Sequence, residues 1–285
     1  MKAIIPAAGH GTRFLPVTRV IPKEMLPIGA KPALELIVDE AKGAGADEII
    51  LVISHGKELI REYFKDDPAI RFVYQEEQKG LGHAVLQASG EIVESSNSQI
   101  LILLGDALVA GCNAAKEKVA LSAANGGASV IGLERVPKEK VSRYGIVRME
   151  NGRIVDLVEK PSPEEAPSDL AIAGRYLLDE KIFDYLRTQS PGKGGEIQLT
   201  DAIRRMISKL ESRVGVGERW REEVDRGGSS NIRRFDDCSI DSTIRRFDDS
   251  TISSPLLGYV YPGKRQDIGN PKGYFEALKQ MGANE

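Results

Sequence analysis

The chain has 285 residues, with 39 Lys and Arg against 42 Asp and Glu, and a formal net charge of −3. That length could form one large α/β domain or two small ones, with a substantial core, and no composition break near the middle argues for two; the charge balance excludes the broad basic footprint of a nucleic-acid-binding surface. Its two cysteines, Cys112 and Cys238, lie far apart without CxxC spacing, which suits free thiols in the cytoplasm, and no apolar run approaches a membrane span.

A short apolar strand, Ala3-Ile4-Ile5, runs directly into Pro6-Ala7-Ala8-Gly9-His10-Gly11-Thr12-Arg13-Phe14. Small residues at 7, 8, 9 and 11 let the backbone approach a ligand closely. Consecutive exposed N–H groups then suit an anion. Ten residues after Arg13 stands Lys23, inside Pro22-Lys23-Glu24-Met25-Leu26-Pro27, so two cations flank a phosphate-sized gap. A nucleoside triphosphate is the simplest ligand. The loop is not a Walker loop, for no run supplies G-x-x-x-x-G-K-[ST], and Phe14 stands where the dinucleotide fingerprint needs its third glycine. Without a ligand the same stretch reads as a tight strand-to-helix turn.

Strand-like runs and helical patterns then alternate. A helix is expected from about Pro32 to Gly43, a strand at Ile49–Ile53, a helix near Glu58–Phe64, a strand at Arg71–Tyr74, a helix from Gly82 to Ser89 and a strand at Ile100–Leu104. The strands are nearly continuous apolar runs, as in a parallel sheet covered on both faces. The fold class is therefore α/β, a doubly wound, mainly parallel sheet. Ligands bind such sheets beyond the carboxyl ends of the strands, where loop 6–14, Gln75–Gly82 and Gly105-Asp106 all fall. Asp106 follows its strand through one glycine, a place for Mg²⁺, which takes one or two carboxylates and completes its octahedron with phosphates and waters. Asp267, in Lys264-Arg265-Gln266-Asp267, is the second candidate; for each aspartate the alternative is a turn or capping role. Only three histidines occur, without ligand spacing, so zinc is not expected.

Ala128–Leu133 reads as a further central strand, and Arg148–Ile154 contains an Asn-Gly hairpin signal. The second half is thus expected to add a small antiparallel sheet over one side of the cleft. Helices follow near Glu180–Leu186 and Gln198–Leu210. From Glu211 to Ser254 the chain turns polar and serine-rich, and Ile232-Arg233-Arg234-Phe235-Asp236-Asp237 recurs as Ile244-Arg245-Arg246-Phe247-Asp248-Asp249. Two copies of a twelve-residue unit are too few for a solenoid, so 211–254 is expected to be a poorly ordered insertion in a single domain, a paired hairpin being the alternative. Leu256–Tyr261 resumes the strands and Pro271–Met281 closes the chain as a helix.

The stretch Ala7-Ala8-Gly9-x-Gly11-Thr12-Arg13-Phe14-Leu15-Pro16, followed by Pro22–Pro27, resembles the signature of the sugar-1-phosphate nucleotidylyltransferases, and most closely their uridylyltransferase branch. The resemblance runs from residue 1 to about 210 and again from about 256 to the end. It implies a Mg²⁺-dependent transfer from UTP to glucose 1-phosphate by a homo-oligomer. Arg13 and Lys23 would act on the reacting phosphates, Ala7, Ala8, Gly9, Gly11 and Thr12 would cradle the nucleotide, and Asp106 with Asp267 would hold the metal. One departure is Ala107, where many members carry a second acidic residue. Gln75 and Gly80 match the base-reading segment, and an amide offers a pyrimidine both a donor and an acceptor; Gln78 has the same chemistry. Tyr144, Gly145, Glu159, Lys160, Gly174 and Glu196 match the sugar-phosphate segments. Glu159 suits sugar hydroxyls and Lys160 the phosphate, but neighbours on a strand face opposite ways, so the pair needs a bend or is a surface ion pair. For the Glu196 segment the alternative is helix capping. Two rival functions remain, a thymidylyltransferase and a non-catalytic sugar-nucleotide-binding regulator.

Overall fold

The computed structural model describes residues 1–92, 99–110, 112–214, 255–262 and 265–281. In chain order the elements are β1 (Lys2–Pro6), β2 (Pro27–Ile28), β3 (Lys31–Pro32), α1 (Ala33–Gly43), β4 (Glu48–Ile53), α2 (Glu58–Phe64), β5 (Ile70–Tyr74), α3 (Leu81–Gln87), β6 (Gln99–Leu103) and β7 (Ala107–Val109). They continue with α4 (Ala114–Ala124), β8 (Ser129–Arg135), β9 (Gly145–Glu150), β10 (Arg153–Glu159), β11 (Leu170–Asp179), α5 (Ile182–Arg187), α6 (Leu199–Val214), β12 (Leu256–Val260), β13 (Arg265–Asp267) and α7 (Pro271–Met281).

Nine strands form one sheet in the order β5-β4-β1-β6-β11-β8-β12-β10-β9. Successive side chains of a strand point to opposite faces, and both faces are covered. Ile5, Leu51 and Leu103 share a buried cluster with Leu34 and Ile37 of α1 and Phe64 of α2. Ile4, Ile50 and Ile102 join Val85 of α3, Phe183 of α5 and Ile203 of α6 on the other side. This double cover explains why the first strands are apolar at nearly every position.

The mainly parallel expectation holds only for β5-β4-β1-β6 and for β8 with β12. β11 runs antiparallel to both β6 and β8, and β10 is antiparallel to β12 and β9. The sheet is mixed. Nor is there a separate small sheet over the cleft: β9 and β10 belong to the main sheet, and β9 also pairs with β11. The cause lies in β11. Its register shifts between Ile172 and Tyr176, where Gly174 takes φ of 80°, a conformation glycine reaches without a Cβ penalty. Such a bulge bends a strand, so residues 170–171 pair with β9 while 175–179 pair with β6. The Asn-Gly hairpin forms as expected, with Asn151 and Gly152 both at positive φ.

α6 continues through Val214, into the start of the expected insertion. The rest of 211–254, with its Arg-Arg-Phe-Asp-Asp repeat, lies outside the described residues. No helix among the described residues is long and apolar enough to cross a membrane.

Helix α4 carries a fully buried lysine, Lys118. Its ammonium donates to Ala114 O at 2.8 Å and to the Tyr261 hydroxyl, and lies 4.2 Å from the Tyr261 ring centroid. Burial pushes its pKa down to about 7. An unfolded lysine titrates near ~10.4, so between the two values the unfolded chain binds more protons and stability rises with pH. Denaturant midpoints of the wild type should therefore climb from about pH 7 toward pH 10, and Lys118→Met should flatten that climb. Equal slopes in the two proteins would contradict the assignment.

Candidate active site

β1, β4, β5 and β6 run parallel and present their carboxyl ends to one edge. β1 leads into the glycine loop, where Ala7 and Ala8 are buried while Gly9, Thr12 and Arg13 are exposed. Ala7 N donates to Val52 O at 2.7 Å, and Thr18 Oγ1 donates to Gly11 O at 2.9 Å. Phe14 anchors the far end, with its ring edge-on to Tyr274 at 6.0 Å. The loop is thus held from behind, with its exposed backbone and Arg13 turned outward.

Lys23 and Asp106, 83 positions apart, meet at 2.7 Å between Nζ and Oδ2. Lys23 Nζ also lies 4.0 Å from Glu24 Oε1. Glu24 is 1 % exposed, and its Oε2 accepts from Lys57 Nζ at 2.8 Å. Lys57 Nζ donates in addition to Ala7 O of the loop. A chain of alternating charges therefore links Asp106 to the glycine loop. Burial works against the Lys23 ammonium, but Asp106 and Glu24 outweigh it and hold its pKa above the ordinary lysine value. For Lys57 burial wins, with Glu24 only partly offsetting it, and the pKa falls. Loss of solvent works to raise the Asp106 pKa, yet Lys23, then Arg265 and Arg13, hold it below the usual carboxylate range.

Asp267 comes to the same place from the far end of the chain. β13 pairs with β7 so that Asp267 lies opposite Ala107, and Ile268 N donates to Asp106 O at 2.9 Å. A Cβ on Gly269 would lie 2.8 Å from Asp106 Oδ2 and 3.0 Å from Asp267 Oδ1, so the two carboxylates converge on one point. Asp267 Oδ1 also accepts from Gly269 N at 3.0 Å; the turn role and the convergence coexist. Among the described residues no group of three or more His, Cys, Asp or Glu side chains could hold a metal. Two hard carboxylates fit an ion that takes its remaining ligands from phosphates and water.

β5 leads into the segment expected to read the base. Gln75 is 3 % exposed, its Nε2 lying 2.9 Å from His83 Nδ1 and 3.3 Å from Gly80 O. Gln78 Nε2 donates to Ala8 O at 3.4 Å, tying this segment to the nucleotide loop. At Gly80, φ is 101° and a Cβ would lie 2.7 Å from Glu196 Cβ. No other residue allows that approach, which is completed by Ile197 N donating to Lys79 O at 2.7 Å. Segment 75–82 and segment 192–198 are thereby joined.

In the segments expected to meet the sugar phosphate, Glu159 Oε2 accepts from Thr200 Oγ1 at 2.7 Å, and Glu159 Oε1 lies 3.3 Å from Lys160 Nζ. The bend the pair needs is at Lys160 itself, with φ of 46°, fixed by Lys160 N donating to Tyr144 O at 2.9 Å. Gly145 lies against Glu159 and Thr200, where a Cβ would sit 3.3 Å from each side-chain oxygen. Glu196 accepts from Gln198 Nε2 at 2.8 Å. Gly174 stands apart, buried against Leu104, while Arg175 points away to Glu40 at 2.6 Å and to Ala107 O at 2.7 Å. Both brace the turn that carries Asp106.

A family model for nucleotidyl transferases matches residues 2–284. The chain belongs to the nucleotidyl transferase family. A UTP–glucose-1-phosphate uridylyltransferase from Staphylococcus epidermidis is 41% identical to this nucleotidyl transferase over 256 residues, covering 76% of this chain and 88% of that protein. One from Staphylococcus haemolyticus is 44% identical over 239 residues, 73% of this chain and 82% of that one. A solved UDP-glucose pyrophosphorylase complexed with UDP-glucose superposes with a TM-score of 0.77 at 32% identity, covering 100% and 99% of the two chains.

Three residues of this nucleotidyl transferase went unremarked in the sequence reading. Lys57 follows the carboxyl end of β4, the position that already singled out 6–14 and 75–82. Thr200 follows Glu196 by four residues, at the start of α6. Arg265, two residues before Asp267, lies 2.7 Å from Glu134 and 4.6 Å from the Tyr144 ring centroid, so it links the Asp267 turn to the Tyr144 segment. The left-handed backbone at Lys160 costs about 1 kcal/mol, so Lys160→Gly should stabilise the fold by up to about that amount while raising the KM for the sugar phosphate. Thermal unfolding with steady-state kinetics checks both; an unchanged KM would remove Lys160 from the site.

Proposed function

We propose that this chain makes UDP-glucose and pyrophosphate from UTP and glucose 1-phosphate, with Mg²⁺ as its metal. The observation that carries the reading is the meeting of Lys23, Asp106 and Asp267 beside the glycine loop, in a chain 41–44% identical to uridylyltransferases. The phosphate of glucose 1-phosphate is already an anion near neutral pH. One of its oxygens attacks the α-phosphorus of UTP, a P–O bond forms, and the bond to the bridging oxygen breaks with its electron pair leaving on pyrophosphate. No general base is required, and the protein's work is alignment and charge compensation.

Ala7, Ala8, Gly9, Gly11 and Thr12 hold the triphosphate, with Arg13 and Lys23 offsetting its charge. Asp106 and Asp267 hold Mg²⁺, which when bound neutralises phosphate charge as two polyanions approach. Gln75 reads the pyrimidine beside Gly80. Glu159 takes sugar hydroxyls and Lys160 the sugar's phosphate, with Tyr144, Gly145 and Glu196 completing that side; Gly174, buried against Leu104, shapes the strand behind it. The enzyme works as a homo-oligomer in the cytoplasm, which sedimentation velocity and cell fractionation would test. The presence of Arg13, Lys23, Asp106 and Asp267 together favours an enzyme over a regulator that only binds. Pyrophosphate release from UTP or dTTP, each with glucose 1-phosphate, tests the reading. UTP should lead by at least about tenfold; preference for dTTP would make the chain a thymidylyltransferase, and no release with any pair would remove the enzymatic reading.

A further inference from the structure

Gln75 and His83 form a small network whose hydrogen-bond polarity is set by the Gly80 carbonyl. The nitrogen of the Gln75 amide faces Gly80 O at 3.3 Å and His83 Nδ1 at 2.9 Å. A backbone carbonyl can only accept, so the amide group facing it must be the NH₂. His83 Nδ1 must then offer a lone pair, and the ring carries its proton on Nε2. The Gln87 amide nitrogen lies 3.2 Å from His83 Nε2, so a proton on Nε2 requires that amide to be turned over, with its oxygen accepting. Both amide hydrogens of Gln75 are therefore committed, and Oε1 is left to accept.

We propose that His83 is a positioning residue for base selection: its Nδ1 lone pair fixes the Gln75 amide so that Oε1 meets a pyrimidine bearing N3–H. The inference rests on the reading of Gln75 as the base contact. Uracil and thymine carry a hydrogen on N3 and cytosine does not, so the fixed amide selects UTP against CTP. A protonated imidazole would present N–H toward the Gln75 NH₂, turn the amide over, and remove both the Gly80 bond and the acceptor. Burial, then Lys79, keeps the imidazole pKa below its ordinary value, opposed by a hydrogen bond to the Glu77 backbone and then by the Glu77 charge. Lys79 and Glu77, from the loop before α3, are the charged groups bearing on the ring among the described residues; none comes from β1, β4, α5, α6 or the 3-10 turn Ala88–Glu91, which pack against α3.

The test is the ratio of kcat/KM for UTP to that for CTP, measured with glucose 1-phosphate in the wild type, His83→Phe, His83→Asn and Gln75→Ala. His83→Phe removes the lone pair and should lower the ratio by about tenfold or more, the worth of one lost hydrogen bond in a partly closed site. Asparagine Oδ1 can take the place of Nδ1, so His83→Asn should keep the ratio near the wild-type value. Between about pH 8 and pH 5.5 the wild-type ratio should fall as the ring protonates, while that of His83→Asn stays flat. A structural role alone would not produce that difference. A His83→Phe ratio within about twofold of wild type, or parallel pH profiles for wild type and His83→Asn, overturns the proposal while leaving Gln75 as the base contact. A ratio unchanged in Gln75→Ala overturns the base contact and the proposal with it. If His83→Phe does not fold, the two pH profiles decide alone.

Discussion

Lys23→Met should lower kcat for UDP-glucose formation by about 10²- to 10³-fold, the usual loss when a preorganised charge facing a reacting phosphate is removed. The neighbourhood explains why no other group would take over. Lys23 is held 2.7 Å from Asp106 and 4.0 Å from Glu24, and Asp106 and Glu24 keep it charged against its burial. Arg13 is exposed at the other end of the loop, and Lys57 is turned toward Ala7 O and Glu24. Binding of UTP should weaken far less, since the loop backbone and Arg13 remain. Single-turnover pyrophosphate release separates the two effects. A Lys23→Met enzyme within about tenfold of wild-type kcat would contradict the assignment.

Glu24→Leu should be the most destabilising single change near the site, by about 3–5 kcal/mol. Glu24 is 1 % exposed and receives Lys57 Nζ at 2.8 Å, so its loss strands a buried ammonium whose pKa burial has already lowered. Part of the loss is recovered when Lys57 sheds its proton, which makes the defect milder at higher pH. Adding Lys57→Met should restore much of the stability, because removing both buried charges costs far less than removing one. Urea unfolding of the two single variants and the double variant gives the coupling. A Glu24→Leu protein within about 0.5 kcal/mol of wild type would show that the network is not coupled.

The parts of the fold that were legible are those where local pattern and burial agree. β1, β4 and β6 are covered on both faces, and their unbroken apolar runs announce it. α2 and α7 fall where the sequence places them, at Glu58–Phe64 and Pro271–Met281. β11 was not legible. Its Gly174-Arg175 pair interrupts the apolar run and reads as a ligand motif, whereas Gly174 forms a bulge and Arg175 reaches Glu40, 135 positions away. That bulge lets one strand pair with β9 at its start and β6 at its end, which draws β9 into the main sheet. α4 escaped notice for a different reason: it is alanine-rich and has no apolar stripe on which a period could be read.

Among the site residues, Arg13, Lys23 and Asp106 stood out because a glycine loop or a strand end announces them. The contacts that hold them did not. Lys57 meets Glu24 and Ala7 across 33 and 50 positions, separations no local pattern records. The convergence of Asp267 on Asp106 depends on β13 pairing with β7, two three-residue strands too short to show a period. The bend at Glu159-Lys160 was foreseeable as a need, but its location was not. It lies in the left-handed backbone of Lys160.

The most direct test is a crystal structure of the chain with UDP-glucose and Mg²⁺. It should show the diphosphate against Gly9–Arg13 and Lys23, the uracil on Gln75 Oε1, the glucose between Glu159 and Lys160, and the metal between Asp106 and Asp267. A nucleotide seated away from Lys23, or a metal that touches neither aspartate, would contradict the site.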